Sequence, residues 1–319
     1  MTGSRFSWHQ IVALCLVMFT VVMTAVISRT VFERMPHLED ELAYLYQARI
    51  FAQGDVVVER PEPWSAFWQP FVIGYRETGN SFGKYTPGWP LLLSLGVNAG
   101  QMWVINAFFA ALTVALTYRL GREVFNPDVG VIAGALVAFS PMALLLNASL
   151  MGHTAALCLF STFMYAYWRI TRERNALLWG AVAGVALGVL IITRSLTAVG
   201  VTVPFVVWSV WRLVGSVTNP SPPSPLSHKG RGGETDMLNR LSNSAAQIPE
   251  PDSDVGHFST QMRSSSRVRG FFRTLAPLVT LGVIALSFAP IIPAFNYTAT
   301  GDPGQNLYTL IWEYDRVGF

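Results

Sequence analysis

The chain has 319 residues, of which 51% are hydrophobic and only 13% are charged. Soluble domains usually carry about twice that charged fraction, so the composition excludes an ordinary soluble domain. The net charge of +3 is not arranged as a basic stripe interleaved with aromatic residues, and we therefore expect no nucleic-acid partner. Cys15 and Cys158 both lie within apolar runs, which argues against a disulfide framework or a cysteine metal cluster.

Long uncharged apolar runs predict an all-α polytopic membrane protein with about seven transmembrane helices, because runs of about 18 or more apolar residues are candidate spans. The first run is long for a signal-peptide core and is not followed by a small-residue cleavage site, so we interpret it as a retained helix. A short segment near the membrane surface, Trp89 to Asn98, precedes the second span. The seven predicted spans are residues 7–30, 101–120, 129–146, 153–170, 176–193, 196–213 and 272–295.

Residues 219–269 differ from the rest of the chain, because they are rich in Ser, Pro, Gly and Arg and have almost no apolar periodicity. Such a segment cannot bury enough apolar surface to offset its ordering entropy, so we predict a disordered insert without chemistry of its own. It divides a transmembrane core, residues 1–218, from a last segment, residues 270–319, that holds the seventh span and an outer tail.

The arginines predict the orientation, since short cytoplasmic loops are enriched in Lys and Arg. A cytoplasmic N-terminus places five arginines of the short loops inside and leaves only Arg194 in a short outer turn. The loop 33–86 and the tail from residue 296 then lie outside, and the insert is cytoplasmic. The five inner arginines are Arg119, Arg122, Arg169, Arg172 and Arg174.

The outer loop opens with a predicted helix. Its apolar residues recur at helical spacing at Leu38, Leu42, Leu45, Tyr46 and Ile50, which predicts a helix along the membrane surface.

Three acids, Glu39, Asp40 and Glu41, begin this helix. Acids there are favoured by the helix dipole alone. The alternative is that one of them is a general base or an electrostatic anchor at the membrane boundary. Asp40 shares a helix face with Tyr44 and Gln47, which would form a polar wall.

Further polar residues collect at the predicted outer helix ends. Lys84 and Tyr85 precede a Pro/Gly-stiffened turn and suit either interfacial anchoring or contact with a lipid-linked phosphate. His153 suits a structural hydrogen bond or a site, whereas Arg194, a cation held outside, indicates an anionic partner. The tail mixes acids, among them Asp315, with aromatic residues; that mixture suits sugar binding and equally any folded interfacial loop.

These features together resemble the GT-C class of membrane glycosyltransferases, and most closely its protein O-mannosyltransferase and aminoarabinose-transferase branch. The resemblance rests on a first transmembrane helix, an outer loop opening with Asp40-Glu41 and Tyr44, and the later stretch Lys84-Tyr-Thr-Pro-Gly-Trp-Pro-Leu-Leu-Leu93. Thr86 replaces the first proline of the related bacterial pattern. Three more stretches look like segments of that class: Met151–Thr154, Thr193–Ala198 and Tyr314–Phe319.

The resemblance implies an inverting transfer of a sugar from a polyprenyl-phosphate donor to a lipid, protein or glycan acceptor outside the cytoplasm, in a bacterial inner membrane. It implies catalytic roles for Asp40, as the base, and Glu41. It implies donor-phosphate binding by Lys84, Tyr85, Arg194 and His153, and acceptor or sugar binding by Tyr44, Gln47 and Asp315. No cofactor is predicted, and metal dependence is left open.

Two alternatives stay open. Members of the class usually have more spans and often a soluble C-terminal domain, so the end at Phe319 suggests a truncated or non-catalytic form. A lipid or solute transporter is the other alternative; it predicts inverted repeats or helices broken at mid-membrane beside polar residues. We find no repeat, and the polar residues collect at the outer helix ends.

Overall fold

The computed structural model describes residues 7–172, 175–218 and 275–314. The predicted insert, residues 219–269, lies outside the described residues, as do Arg174 and Asp315. The chain divides into two compact units. One is formed by Met1–Phe205 and Pro277–Phe319, and the other is Val206–Ala276.

Helices dominate the structure, which confirms the predicted all-α polytopic membrane fold. The helix that opens the outer loop and the short helix before the second span are both present, as predicted. The helices are α1 (Trp8–Thr30), α2 (Glu39–Gln53), α3 (Trp64–Phe67), α4 (Gly88–Asn98), α5 (Trp103–Val124), α6 (Pro127–Ala138), α7 (Pro141–Ala148), α8 (His153–Ile170), α9 (Ala176–Thr193), α10 (Ser195–Thr218), α11 (residues 275–287) and α12 (Ile291–Thr300).

The number of spans is smaller than predicted when length and composition are the criteria. Among the described residues, five helices are long and apolar enough to cross a membrane, and a bent pair would make six. The helix at the fourth predicted span, α8, has 18 residues but is not among them. It carries Tyr165, Tyr167 and Arg169 near its end, and it packs between α5 and α9, so protein rather than lipid covers its polar groups.

The third predicted span is not one continuous helix. It consists of α6 and α7, which meet at an angle of 58°. The break has a local cause: the Ser140 side chain accepts the N–H of Ala143 as an N-cap, and Pro141 occupies the first position of α7. Proline cannot continue a helix because it lacks the N–H and collides with the preceding turn. The break contains no charged side chain.

A small antiparallel sheet, which the sequence analysis did not predict, lies in the outer loop. Its strands are β1 (Val58–Glu59), β2 (Val72–Tyr75) and β3 (Asn80–Gly83), in the order β1-β3-β2. The loop is therefore a folded element that leads directly into α4.

Glycines let α9 pack closely against α11. Gly180, Gly184 and Gly188 recur at every fourth residue, and a Cβ atom on any of them would collide with residues 277–288. Small residues at this spacing bring the backbones of membrane helices into contact, which favours dispersion attraction between them. This packing fixes the end of α9. Thr193 is the last residue of the helix, and Arg194 follows it.

The two ends of the helix bundle carry different polar groups. At the end of α8 that holds Arg169, the Arg169 guanidinium donates to Glu123 at 2.8 Å. His153 begins the same helix, roughly 24 Å away by the rise of 1.5 Å per residue. The loop at the His153 end is fixed by the Trp89 indole, which donates to the Leu150 carbonyl, and by the Asn106 amide, which donates to the Ser149 carbonyl.

Candidate functional site

A cavity of about 420 Å³ lies at the His153 end of the bundle. Among the described residues, six parts of the chain meet there: the start of α2, the residue before β2, the segment between β3 and α4, the start of α8, the junction of α9 and α10, and a short 3₁₀ helix, Leu307–Leu310, with its flanking residues. The cavity brings together six of the predicted site residues. They are Asp40, Tyr44, Lys84, Tyr85, His153 and Arg194.

The segment between β3 and α4 is held against the end of α9. The Thr86 hydroxyl donates to the Thr193 carbonyl at 3.0 Å. Gly88 approaches the same turn so closely that a Cβ atom there would lie 2.6 Å from the Ile192 carbonyl oxygen. This contact places Lys84 and Tyr85 beside Arg194 at the cavity wall.

Asp40 lies in the first turn of α2, and the Tyr85 hydroxyl donates a hydrogen bond to its carboxylate. Burial raises the pKa of the Tyr85 phenol above its usual range, and the hydrogen bond to Asp40 raises it further. The Tyr44 ring lies 4.5 Å from the Tyr85 ring, and burial also raises the pKa of Tyr44. Both phenols therefore keep their protons, and the Tyr85 hydroxyl is a donor to the carboxylate.

Lys84 is buried, with only 1% of its surface exposed, and its ammonium is surrounded by aromatic rings. Its Nζ lies 4.1 Å from the ring centre of Phe71 and 4.5 Å from that of Trp312. The rings of Tyr85 and Tyr308 are 5.3 Å and 5.2 Å away. Cation–π attraction of this kind stabilises a desolvated ammonium at the cavity wall.

Arg194 caps the end of α9 with its backbone, since its N–H donates to the Leu190 carbonyl and its carbonyl accepts from Ala198. Its guanidinium forms no hydrogen bond or ion pair with any residue that the structure describes. Across the same cavity, the His153 Nδ1 is buried and has no hydrogen-bond partner there. The cavity thus presents one guanidinium and one imidazole nitrogen whose hydrogen-bonding capacity is not used by the described protein.

Glu41 does not line the cavity, although it is adjacent to Asp40 in the sequence. It is buried, and its carboxylate accepts backbone N–H groups from His37, Leu38 and Leu150 at 2.6, 3.3 and 2.9 Å. Glu41 therefore joins the start of α2 to the loop before α8, which is a structural position.

Gln47 also does not line the cavity. Its side chain donates to the Val56 carbonyl and accepts the Gly83 N–H, both at 2.9 Å. Of the three residues predicted to form a polar wall on α2, Asp40 and Tyr44 therefore line the cavity. Gln47 instead attaches α2 to β3. Asp315 lies outside the described residues, so the structure does not place it.

Several residues of the cavity were not among the predicted site residues. Phe71 precedes β2, and Asn306, Tyr308 and Trp312 come from the tail. The mixture of acids and aromatic residues in the tail was a signal for sugar binding, but it did not single out these side chains. In the described ranges, no group of three or more His, Cys, Asp or Glu side chains is arranged to hold a metal ion.

Part of the chain matches a known protein family. Residues 89–222 match the family model described as dolichyl-phosphate-mannose-protein mannosyltransferase. The match covers less than half of the chain; it includes His153 and Arg194 but neither Asp40 nor Lys84. No curated protein and no solved structure matches the chain. The matched segment is therefore similar to membrane glycosyltransferases of the GT-C type, and the apolar helices are those of an integral membrane protein.

Proposed function

We propose that the chain transfers a sugar, with inversion, from a polyprenyl-phosphate donor to a lipid, protein or glycan acceptor on the extracytoplasmic side. The observation that carries this proposal is the composition of the cavity. It combines one carboxylate, Asp40, with the cation Arg194 at one end of a membrane bundle.

In this proposal Asp40 is the general base. Its carboxylate accepts the proton of the acceptor hydroxyl while the acceptor oxygen bonds to the anomeric carbon of the sugar. The bond from that carbon to the phosphate oxygen breaks on the opposite face, and its electron pair stays with the phosphate. A positioned carboxylate suits a transition state in which the sugar carries positive charge. Glu41 has no part in this step, because its carboxylate is occupied by three backbone N–H groups.

Arg194 is the proposed partner of the departing phosphate. A guanidinium presents paired N–H donors that match phosphate oxygens, and it stabilises the negative charge that grows as the bond breaks. His153 supplies a second nitrogen in the same cavity. Lys84 lines the cavity and adds positive charge to its wall. Its ammonium is buried among aromatic rings.

The position of the cavity suits a lipid-linked donor. The helix α10 begins at Ser195, which lines the cavity, and its segment Ser195–Gly215 is apolar and long enough to cross a membrane. A phosphate at Arg194 would therefore lie where a polyprenyl chain can enter the bilayer. In this proposal the cavity end lies outside the cytoplasm, because the described short-loop arginines other than Arg194 lie at the other end, as the positive-inside rule requires.

The transporter alternative is less well supported. It predicts polar residues at a break within the membrane, whereas Ser140, the polar residue at the break between α6 and α7, has its side chain occupied as an N-cap. Asp40, Lys84 and Arg194 line the cavity at the helix ends instead.

The purified full chain in proteoliposomes tests the proposal. The first donor is dolichyl-phosphate-mannose, which the description of the matching family suggests, and a panel of other polyprenyl-phosphate hexoses and pentoses follows. We expect release of polyprenyl phosphate and a product whose anomeric configuration is opposite to that of the donor. Absence of transfer with every donor, or retention of configuration, would overturn the proposal.

A further inference from the structure

Tyr85 lies at the cavity wall and contacts the proposed base, Asp40. Its hydroxyl donates to the Asp40 carboxylate, and its ring contacts the rings of Tyr44, at 4.5 Å, and Tyr308, at 5.8 Å. These contacts limit the movement of the Tyr85 ring and so of the phenolic oxygen at its end. The hydroxyl consequently holds one carboxylate oxygen in place.

The backbone of Tyr85 is fixed as well. The Lys84 N–H donates to the Phe71 carbonyl at 3.0 Å on one side, and the Thr86 hydroxyl donates to the Thr193 carbonyl at 3.0 Å on the other. Thr193 directly precedes Arg194 in the chain. The stretch from Lys84 to Gly88 therefore links the position of the Asp40 carboxylate to the position of the backbone that precedes Arg194.

We propose that Tyr85 is a positioning residue that orients the Asp40 carboxylate for proton abstraction, rather than a ligand of the donor phosphate. This inference rests on the proposed function for its catalytic consequence, but the Tyr85–Asp40 contact is testable without any sugar transfer. Removing the hydroxyl is expected to release the carboxylate oxygen that it holds.

The experiment compares Tyr85→Phe with Tyr46→Phe as a matched control. Tyr46 lies on the same helix as Asp40, is also half-buried, and donates its hydroxyl to Ser81 outside the cavity. Both variants remove one phenolic oxygen and leave the ring in place. The other titratable groups around Asp40 are unchanged in both, so a difference between the variants isolates the Tyr85 hydroxyl. Those groups are Tyr44, Lys84, His153, Arg194 and Tyr308.

The first readout is the rate at which a hydrophobic carbodiimide modifies Asp40 at one fixed pH, followed by mass spectrometry. In Tyr85→Phe we expect labelling to be faster by about fivefold, because a carboxylate released from a hydrogen bond of about 1 kcal/mol is more open to the reagent. In Tyr46→Phe we expect the wild-type rate. An unchanged rate in Tyr85→Phe, or an equal rise in both variants, would overturn the inference.

The second readout separates positioning from phosphate binding. For Tyr85→Phe we expect kcat to fall by about tenfold and the affinity for dolichyl phosphate to change less than about twofold. A large loss of dolichyl-phosphate affinity with an unchanged kcat would make Tyr85 a phosphate ligand instead. Faster labelling in a protein without transfer activity would contradict only the proposed function, whereas transfer without faster labelling would contradict only the role of Tyr85.

Discussion

Gly88 packs directly against the backbone of Ile192, and a Cβ atom at this position would lie 2.6 Å from both the carbonyl carbon and the carbonyl oxygen. The contact joins the segment that carries Lys84 and Tyr85 to the turn that carries Arg194. The cavity therefore requires that residue 88 has no side chain.

Gly88→Ala is expected to damage both stability and transfer. Overpacking of this kind typically costs about 1–3 kcal/mol, and the displaced segment would move Tyr85 away from Asp40. The change is measured as a lower midpoint of thermal unfolding in detergent and as lost sugar transfer. Gly200→Ala is the control, because a Cβ atom on Gly200 would have no heavy atom within 4 Å. Equal behaviour of the two variants would contradict the packing argument.

Glu41→Gln is expected to reduce stability without removing catalysis. The substitution replaces a carboxylate that accepts three backbone N–H groups, and it leaves buried donors unpaired at a cost of about 1–3 kcal/mol. We expect a lower unfolding midpoint, while transfer per folded molecule stays within a few-fold of wild type. Loss of transfer in a stable Glu41→Gln protein would instead assign Glu41 to the reaction.

Arg194→Gln is expected to weaken donor binding. The guanidinium makes no hydrogen bond or ion pair with the described residues, so its removal should leave the unfolding midpoint nearly unchanged. A charge-assisted hydrogen bond of about 1.5–3 kcal/mol corresponds to a rise of the donor KM by about tenfold to a hundredfold. Arg122→Gln, an exposed arginine at the end of α5, is the control. If the donor KM rises equally in both variants, Arg194 contributes only to the overall positive charge of the protein and does not bind the donor phosphate directly.

Cysteine labelling tests the orientation. In a background with Cys15 and Cys158 replaced, we expect Asp55→Cys, at an exposed residue of the outer loop, to react with an impermeant maleimide in intact cells. We expect Arg122→Cys to react only after the membrane is opened. The reverse pattern would place the cavity on the cytoplasmic side and would contradict the proposed extracytoplasmic transfer.

The sequence predicted most helices well, because apolar runs and their charged ends are local signals. The spans at α1 and α9 and the surface helix α2 are in the expected places. The break between α6 and α7 was missed, since the composition stays uniformly apolar across Ser140 and Pro141. The three short strands of the outer loop were missed as well, because two to four residues give no usable alternation.

Only part of the candidate site was predicted from the sequence, for a similar reason. Adjacent residues of a helix point about 100° apart, so Asp40 faces the cavity while Glu41 is buried behind it. Local spacing could not show which of the two acids meets the backbone of Leu150, more than one hundred residues later. The contributions of Tyr308 and Trp312 likewise depend on contacts between distant parts of the chain.

Sugar transfer by Asp40→Asn tests the central claim most directly. The asparagine keeps an oxygen that can accept the Tyr85 hydroxyl, so the protein should fold, but it cannot take the proton of the acceptor. The control is Glu39→Gln at the exposed neighbouring acid. We predict that Asp40→Asn loses transfer by at least about a hundredfold while still binding dolichyl phosphate, and that Glu39→Gln stays close to wild type. Full transfer by a folded Asp40→Asn protein would contradict the account.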